Sequence, residues 1–311
     1  MPLYINDLQI HKMPNVDTFF DEYPHFKQSS CSLLNQEVRV VGPVQLLYVG
    51  QREVAGTSPL DEVISILGSE EATTCHIGVL RHTGSGATSL IHFDGSSTSD
   101  GLKTMISIVT DLTEDMSSGR LEFHLVGGFN DKRRNSHEVS GKVFKALYEC
   151  SQNIHLVTAC LTDLNTVYKF TNIPFPVIYG LAVDVKTGEL YPATFPDKGP
   201  DLPLRSARNF TGGKENIVIY DHHTCELVIG PFHYDILPDV YIYLTLPNYL
   251  IRKYLSTSPE QEPEGFEDSI RASLIQIRDF PDPINSVFRG GKPRRYRKDN
   301  TSGMWILVEY E

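Results

Sequence analysis

ATTCHIGVLRHTGSGATSLIHFDG, the stretch at residues 72–95, gives the clearest fold signal in the sequence. Two largely apolar runs flank the glycine-rich segment Thr83-Gly84-Ser85-Gly86, a pattern that predicts a β-hairpin with a tight turn. The first strand carries Cys75 and the second carries His92. Because a thiol becomes a useful nucleophile only when a base takes its proton, this hairpin is also the candidate site.

The register of the hairpin decides which side chains meet. If Thr83 pairs with Gly86, then Cys75 lies opposite Asp94. Side chains alternate between the two faces of a strand, so Cys75, His92 and Asp94 project to the same side. Cys75 and His92 are then diagonal neighbours, within reach of a hydrogen bond after a modest side-chain adjustment.

Other interpretations of these residues stay open at this point. A slip of one residue in the register moves every side chain to the opposite face. His76 adjoins Cys75 but points to the other face, and His82 lies beside the turn, so both are weaker candidates for the base. A free cysteine among apolar neighbours is also typical of a small buried hydrophobe without a chemical role.

Short motifs that follow one another along nearly the whole chain carry a family resemblance. They are Met1-Pro2-Leu3, Gly42-Pro43, Leu46-Leu47-Tyr48-Val49, Thr57-Ser58-Pro59, Ser65-Ile66-Leu67-Gly68-Ser69, Ala72-Thr73-Thr74-Cys75-His76-Ile77, Leu125-Val126-Gly127-Gly128-Phe129, His155-Leu156-Val157-Thr158 and Phe175-Pro176-Val177-Ile178-Tyr179-Gly180. In this order, they resemble the N-terminal asparagine amidohydrolases, the amidases of the Asn branch of the N-degron pathway. The resemblance implies that Cys75 is the catalytic nucleophile and that the substrates are proteins or peptides with a free N-terminal Asn.

The hairpin also resembles, more distantly, that of the bacterial chemoreceptor glutamine deamidases. In that family a threonine lies six residues before the cysteine and a histidine seventeen after it, and these offsets fall on Ser69 and His92. The pair Gly127-Gly128 after a strand is similar to the paired glycines of those proteins. The resemblance implies an α-β-β layered sandwich with mostly antiparallel sheets. Serine replaces threonine at position 69, so Ser69 and Asp94 both remain candidates for the group that orients His92.

The residue types fit the hydrolysis of a carboxamide. Cys75 would attack the amide carbon, and His92 would take the thiol proton and return it to the departing ammonia. Backbone N–H groups near Thr74 and Cys75 would stabilise the oxyanion. This chemistry needs no metal and no other cofactor.

Recognition of a free N-terminus requires a partner for the α-ammonium group, and a carboxylate is the natural one. Glu70, Glu71 and Asp94 lie close in sequence to the proposed centre and are the candidates, together with Thr74 as a further substrate contact. The alternative is that Glu70 and Glu71 form a solvated acidic loop.

Composition and charge restrict the class of protein. The chain has 311 residues, 40% of them hydrophobic, and a formal net charge of −11, which argues against nucleic acid or an anionic membrane as a partner. Five scattered cysteines form no disulfide or metal pattern, and no signal peptide is recognised, so we expect a cytoplasmic monomer. The basic residues 292–298 are either a nuclear import signal or a solvated loop. The adjacent His222 and His223 have no third metal ligand at a useful spacing.

The rest of the sequence predicts an α+β fold in one domain over residues 1–311, with sub-modules at 40–165 (the catalytic sandwich) and 170–311 (a sheet and helix extension). Residues 1–35 are expected to be irregular with one short helix, and residues 256–264 to form a loop. We expect strands at 44–53, 120–126, 154–161, 177–185, 189–194, 216–220, 225–229 and 303–311, and helices at 101–112, at 136–150 with Ser136 as N-cap, from 241–243 to about 255, and at 266–280.

Two rival functions belong to other classes. An internal-residue deamidase or a small cysteine peptidase would use the same thiol on a different substrate. A non-catalytic peptide-binding module would keep the fold without releasing ammonia. Acetylation of the substrate N-terminus, the mass of the product and alkylation of Cys75 separate these possibilities.

Overall fold

Two stacked β-sheets form the centre of the protein in a computed structural model that describes residues 3–169, 172–211 and 213–308. The strands, in chain order, are β1 Leu3–Ile5, β2 Leu8–Gln9, β3 Arg39–Val40, β4 Leu46–Tyr48, β5 Glu53–Thr57, β6 Ile66–Ser69, β7 His76–His82, β8 Thr88–Phe93, β9 Leu121–Gly127, β10 Ile154–Leu161, β11 Thr166–Lys169, β12 Ile173–Pro176, β13 Leu181–Asp184, β14 Leu190–Thr194, β15 Ile217–Val218, β16 Tyr220–Asp221, β17 Glu226–Ile229, β18 Arg294–Lys298 and β19 Trp305–Leu307. The α-helices are α1 Phe19–Glu22, α2 His25–Leu34, α3 Thr98–Asp111, α4 Asn135–Glu149, α5 Leu202–Ala207, α6 Val240–Thr245, α7 Asn248–Leu255, α8 Phe266–Asp279 and α9 Pro283–Ser286.

The larger sheet has eight strands in the order β15-β5-β8-β7-β9-β10-β1-β2. The predicted hairpin, β7 and β8, lies in its middle, and Ile77 pairs with His92, as the register estimate required. Strand β9 continues the sheet beside β7, and α4 connects it to β10, which runs parallel to β9. The register is therefore confirmed, and it is held by neighbours on both sides of the hairpin.

Each face of the larger sheet covers a different core. On one face, side chains such as Leu80, Ile91 and Phe123 pack with residues of α1, α3 and α4. On the other, Ile77 and Leu90 pack against the second sheet, whose order is β3-β14-β13-β6-β4. Along both hairpin strands, apolar side chains point alternately to the helices and to the second sheet. Both strands are therefore almost wholly buried. This arrangement of helices, sheet and sheet is mixed α+β, and most strand pairings in the described residues are antiparallel.

The first half of the chain departs from the predictions in three places. Residues 1–35, predicted to be irregular with one helix, contain β1, β2, α1 and α2. The strand predicted at 44–53 is wrong: it is divided into β4 and β5, which belong to different sheets. The chain crosses between the sheets at Arg52, which has a positive φ of 58°. The predicted N-cap Ser136 lies inside α4, because Asp131 accepts the amide hydrogens of Asn135 and Ser136.

The second half agrees in outline and differs in detail. The segment predicted as one strand at 177–185 begins only at Leu181, and the helical stretch after 241 is divided into α6 and α7. The strand predicted at 216–220 is divided between β15 and β16, which join different sheets. Of the strand predicted at 303–311, β19 is described, and residues 309–311 lie outside the described residues, as does the Met1-Pro2 part of the first motif. The predicted helix at 266–280 is confirmed as α8.

The basic segment at 292–298 is not a solvated loop. Arg294–Lys298 forms β18, which pairs with β17 and β19. Its arginines bind carboxylates of neighbouring elements, for example Arg294 with Asp201 and Arg297 with Glu226. Opposite charges on neighbouring strands stabilise such pairings. None of the helices in the described ranges is long and apolar enough to cross a membrane.

Candidate active site

Cys75 directly precedes β7, at the end of the hairpin remote from the turn, and is partly exposed. The amide of Gly128 donates a hydrogen bond of 2.9 Å to the Cys75 carbonyl. A Cβ on Gly127 would lie 2.5 Å from the same carbonyl oxygen, and Gly127 has a φ of +140°. The paired glycines singled out in the sequence therefore allow a close backbone approach that fixes the main chain of Cys75.

Replacing Gly128 by alanine is expected to destabilise the protein by roughly 1–3 kcal/mol. The residue has a φ of +63°, and a Cβ would lie 2.7 Å from Cε1 of His76. The matched control is Gly141→Ala, in α4, where the nearest atom to a new Cβ is 3.9 Å away and alanine should instead stabilise the helix. Thermal unfolding measures both, and equal stability of the two variants would contradict this account.

His92 and Ser69 form the buried pair next to the cysteine. Ser69 Oγ and His92 Nδ1 are 2.8 Å apart, and the residues are 0% and 3% exposed. Ser69 lies at the end of β6 in the second sheet, so the contact joins the two sheets. When Nδ1–H donates to the Ser69 hydroxyl, Nε2 keeps its lone pair. The buried Nε2 has no hydrogen-bond partner in the described part of the chain, as a base that awaits a proton requires.

Asp94 has other partners. Its carboxylate accepts hydrogen bonds from the side chains of Arg52 and Gln51 and from the amide of Ser96. Burial raises the pKa of Asp94, but the effect of Arg52 and the hydrogen bonds is larger, so that its pKa is lowered overall. Of the two groups that the sequence left open as the partner of His92, the geometry places Ser69, and not Asp94, on the imidazole.

Both members of the proposed nucleophile–base pair are uncharged at neutral pH. Burial, together with the negative charges of Asp94 and Glu262, raises the pKa of the Cys75 thiol well above its ordinary value. Burial lowers the pKa of His92 to about 4, against the opposing effect of nearby carboxylates. These shifts favour a thiol and a neutral imidazole in the free protein over a preformed thiolate–imidazolium pair.

The loop before Cys75 offers free donors. In the residues that the structure describes, the amides of Thr74 and Cys75 donate no hydrogen bond. The Thr74 hydroxyl lies 3.0 Å from that of Thr257, which joins this loop to residues 256–264. Unpaired amides beside a nucleophile are the usual donors to a developing oxyanion. The sequence-based placement of an oxyanion site near Thr74 and Cys75 is thus compatible with the backbone.

Glu70 is mostly buried, whereas Glu71 is exposed to solvent as the alternative interpretation expected, and both bind a lysine. Lys198 Nζ lies 2.8 Å from Glu70 Oε1 and 2.5 Å from Glu71 Oε1. The other oxygen of Glu70 accepts the amide of Phe195 at 2.9 Å. Both acids line a cleft of about 470 Å³, together with Tyr179 and the segment at 192–196. Lys198 therefore offsets one of their two negative charges.

Three residues near Cys75 were missed by the sequence analysis. Glu262 raises the pKa of Cys75, and it also contributes to the raised pKa of Tyr179. Ser258, four residues earlier, has a buried hydroxyl that lowers the pKa of Glu262 as a hydrogen-bonding group. Tyr179 belongs to a motif quoted for the resemblance, whereas Glu262 and Ser258 lie in a loop whose composition gave no functional signal.

The remaining histidines lie elsewhere. His76 faces α4, where its Nε2 is 2.8 Å from Ser140 Oγ, and burial lowers its pKa to about 3. His82 bonds Ser85 in the hairpin turn. The His222 and His223 rings lie 4.1 Å apart in the turn between β16 and β17. Among the described residues, no group of three His, Cys, Asp or Glu side chains is placed to hold a metal ion.

Known proteins are similar to this chain over nearly its whole length. The family described as protein N-terminal asparagine amidohydrolase matches residues 36–307. A protein of that name from Sus scrofa is 43% identical over 305 residues, covering 98% of this chain and 97% of its own. One from Mus musculus is 43% identical over 308 residues, with 99% and 98% covered. One from Arabidopsis thaliana is 24% identical over 317 residues, with 94% and 89% covered.

Proposed function

The chain belongs to the protein N-terminal asparagine amidohydrolase family and is an amidase, and we propose that it converts N-terminal Asn of proteins or peptides to Asp through a thioester on Cys75. The observation that carries this mechanism is the buried His92, whose Nδ1 is bound by Ser69 and whose Nε2 has no partner among the described residues. The hairpin register puts its side chain on the face to which Cys75 also projects. A nucleophile, an available base and an orienting group are the three parts of a thiol hydrolase.

The first half of the reaction forms the thioester. Cys75 Sγ bonds to the side-chain amide carbon while His92 Nε2 takes the thiol proton, so that no free thiolate needs to exist beforehand. The amide oxygen becomes an oxyanion that accepts hydrogen bonds from the amides of Thr74 and Cys75. His92 then gives its proton to the amide nitrogen, the C–N bond breaks, and ammonia leaves.

The second half restores the enzyme. His92 removes a proton from a water molecule that attacks the thioester carbon, and the C–S bond breaks. Cys75 recovers its proton from His92, and the product carries N-terminal Asp. Water and the carboxamide are the only reactants, so the balance needs no metal, oxidant or other cofactor.

Mass spectrometry of matched peptides tests this function directly. A peptide with free N-terminal Asn should gain about 1 Da, whereas the N-terminal Gln and acetyl-Asn versions should stay unchanged. Conversion of acetyl-Asn at an equal rate would indicate an internal-residue deamidase. Cleavage of the backbone would indicate a peptidase, and no change in any peptide would leave a binding module.

The product suggests a role in protein turnover. The reaction changes only the side chain of the N-terminal residue, from a carboxamide to a carboxylate. We place it as the first step of degradation through the Asn/N-degron pathway. The same proposal includes action as a monomer in the cytoplasm, with the nucleus as a second location. In cells, a reporter that begins with Asn after processing should be stabilised when the gene is deleted, whereas one that begins with Asp should not.

A further inference from the structure

The binding partner of the substrate α-ammonium is the part of the site that the sequence left unassigned. Each of the three acidic candidates already has a cation. Lys198 binds both Glu70 and Glu71, and Arg52 binds Asp94. A further cation at these carboxylates would compete with Arg52 or Lys198 for the same oxygens, although Glu70 and Glu71 share one lysine and keep one net negative charge.

Glu262 differs from these three acids. Its carboxylate accepts a hydrogen bond from the Ser256 hydroxyl, and in the described ranges no lysine, arginine or histidine lies within ion-pair distance of it. The nearest arginine, Arg252, donates to the main-chain carbonyl of Glu262 at 2.8 Å and directs its charge to the side chain of Glu267. A partly buried carboxylate without a cation is costly to keep in a fold unless it has a use.

The loop that carries Glu262 is fixed against the site at several points. The hydroxyls of Thr257 and Thr74 are 3.0 Å apart, which ties the start of the loop to the residue before the nucleophile. The buried side chain of Gln261 donates to the carbonyl of Pro174 at 2.7 Å. Pro263 and Glu264 line the cleft that also contains Glu71 and Tyr179. Glu262 therefore lies between a segment anchored beside Cys75 and the wall of the cleft.

Charge interactions link Glu262 to the reacting groups. Its negative charge raises the pKa of Cys75 and of Tyr179. The charge of Glu71 in turn acts on both Glu262 and His92. Burial and Glu71 raise the pKa of Glu262 to about 7, against the opposing effects of Ser256, Arg252 and Ser258.

One buried polar atom of the reacting groups, Nε2 of His92, has no hydrogen-bond partner in the described part of the chain. Buried polar atoms are almost always satisfied, so an unsatisfied one here indicates that a polar ligand completes it. The hydroxyl of Ser258, which is 4% exposed, acts on Glu262 as a hydrogen-bonding group and lowers the pKa of that carboxyl.

We propose that Glu262 binds the α-ammonium group of the substrate Asn and thereby makes the enzyme specific for a free N-terminus. The proposal rests on the function proposed above. The ammonium would supply the missing cation beside the carboxylate, and Tyr179, which lines the cleft together with Pro263 and Glu264, offers an aromatic ring.

This assignment connects binding to reactivity. In the free protein, negative charges next to Cys75 oppose loss of the thiol proton. An ammonium group bound at Glu262 introduces a positive charge near the thiol and offsets that effect. A substrate with a free N-terminus would therefore promote its own attack, whereas a substrate without one would meet an unreactive thiol.

A substrate pair that differs only in the ammonium group tests the proposal. The two peptides are Asn-peptide and the same peptide in which a succinamoyl group replaces Asn, so that the carboxamide remains and the amine is lost. Glu262→Gln is expected to lower kcat/KM for the Asn-peptide by roughly 10- to 100-fold. The slow reaction of the succinamoyl peptide should not fall, because the variant also removes a negative charge that raises the pKa of Cys75. The ratio of the two rates, and not the rate alone, is the readout.

The pH profile gives a second and independent readout. In the wild type, kcat/KM for the Asn-peptide should fall as the pH drops through about 7, where Glu262 takes up a proton. The groups that face this carboxyl or act on it are the hydroxyls of Ser256 and Ser258 and the titratable side chains of Arg252, Glu71, Cys75 and Tyr179. In Glu262→Gln this acid limb should disappear and the activity should fall only toward about 4, where His92 becomes protonated.

Controls separate the possible failures. Glu260→Gln removes an exposed charge two residues before Glu262, outside the residues that line the cleft, and should leave both the ratio and the pH profile unchanged. Because the raised pKa of Glu262 means that its charged form destabilises the free protein above pH 7, Glu262→Gln should unfold at a temperature no lower than the wild type at pH 8. Glu262→Asp keeps the charge and should retain part of the discrimination.

The outcomes distinguish this proposal from the function on which it rests. If the wild type does not deamidate the Asn-peptide, the proposed function itself is wrong. If the wild type is active but Glu262→Gln keeps the full preference for the amine and the acid limb near 7, then only the assignment of Glu262 is overturned. A Glu262→Gln protein that fails to fold is judged on Glu262→Asp, for which an unchanged ratio would also overturn the assignment.

Discussion

Cys75→Ala is expected to abolish the deamidation of an N-terminal Asn peptide, with a loss of at least ~10⁴-fold in kcat. Without the sulfur no thioester forms, and the remaining groups only bind the substrate and orient water. The variant should still fold, because Cys75 is partly exposed and alanine removes a single heavy atom from the margin of the core. Steady-state release of ammonia measures the loss, and thermal unfolding checks the fold.

Cys150→Ala is the matched control for this prediction. Cys150 is also a free, partly exposed thiol, and it lies at the end of α4. Its removal should leave kcat and KM unchanged. Mass spectrometry of the wild type quenched in acid during turnover should show an adduct on Cys75 that lacks ammonia relative to the substrate. Retention of more than a few per cent of the activity in Cys75→Ala would assign the nucleophile to another group.

Cys75 and His92 could be predicted as a candidate pair from the sequence because the hairpin that brings them together is formed by residues close in sequence. The glycine-rich turn sets the register of β7 and β8, and the period of two then decides the face on which Cys75 and His92 project. The paired glycines at the end of β9 could also be recognised in the sequence, because a strand that ends in two glycines is a short, local motif. Local chemistry of this kind needs no knowledge of how the sheets stack.

The choice between Ser69 and Asp94 was not local, and the sequence left it open. Ser69 lies on β6 of the second sheet and reaches His92 only because the two sheets pack face to face. Asp94 is closer to Cys75 in the hairpin, but Arg52, at the crossover between the sheets, takes its carboxylate. Because one continuous strand was predicted at 44–53, the crossover was not predicted, and neither was the position of Arg52 next to Asp94.

Glu262 was missed for a different physical reason. Periodic apolar residues predict helices and strands from the sequence. Residues 256–264 are instead held by individual hydrogen bonds, such as those of Thr257 with Thr74 and of Gln261 with Pro174. Nothing in the composition of this loop says which of its acidic side chains points inward. Loops that carry specificity are positioned by the scaffold, and only the three-dimensional structure shows where they lie.

His92→Ala is expected to reduce kcat by ~10²- to 10⁴-fold, the contribution typical of a general acid–base residue. Ser69→Ala should cost less, about 10- to 100-fold, because it leaves the imidazole in place but removes the acceptor that holds Nδ1–H and keeps Nε2 free for the thiol proton. Both residues are buried, so circular dichroism and thermal unfolding must first show that each variant folds.

A double-mutant cycle decides whether Ser69 acts through His92. If it does, the double variant of Ser69→Ala and His92→Ala should be no slower than His92→Ala alone, because the serine has nothing left to orient. Asp94→Asn is the comparison: its carboxylate is held by Arg52 and not by the imidazole, so its effect on the rate should multiply with that of His92→Ala. The opposite pattern, with Asp94 coupled to His92 and Ser69 independent of it, would mean that the orienting group in the reacting complex is the carboxylate that the hairpin register first suggested.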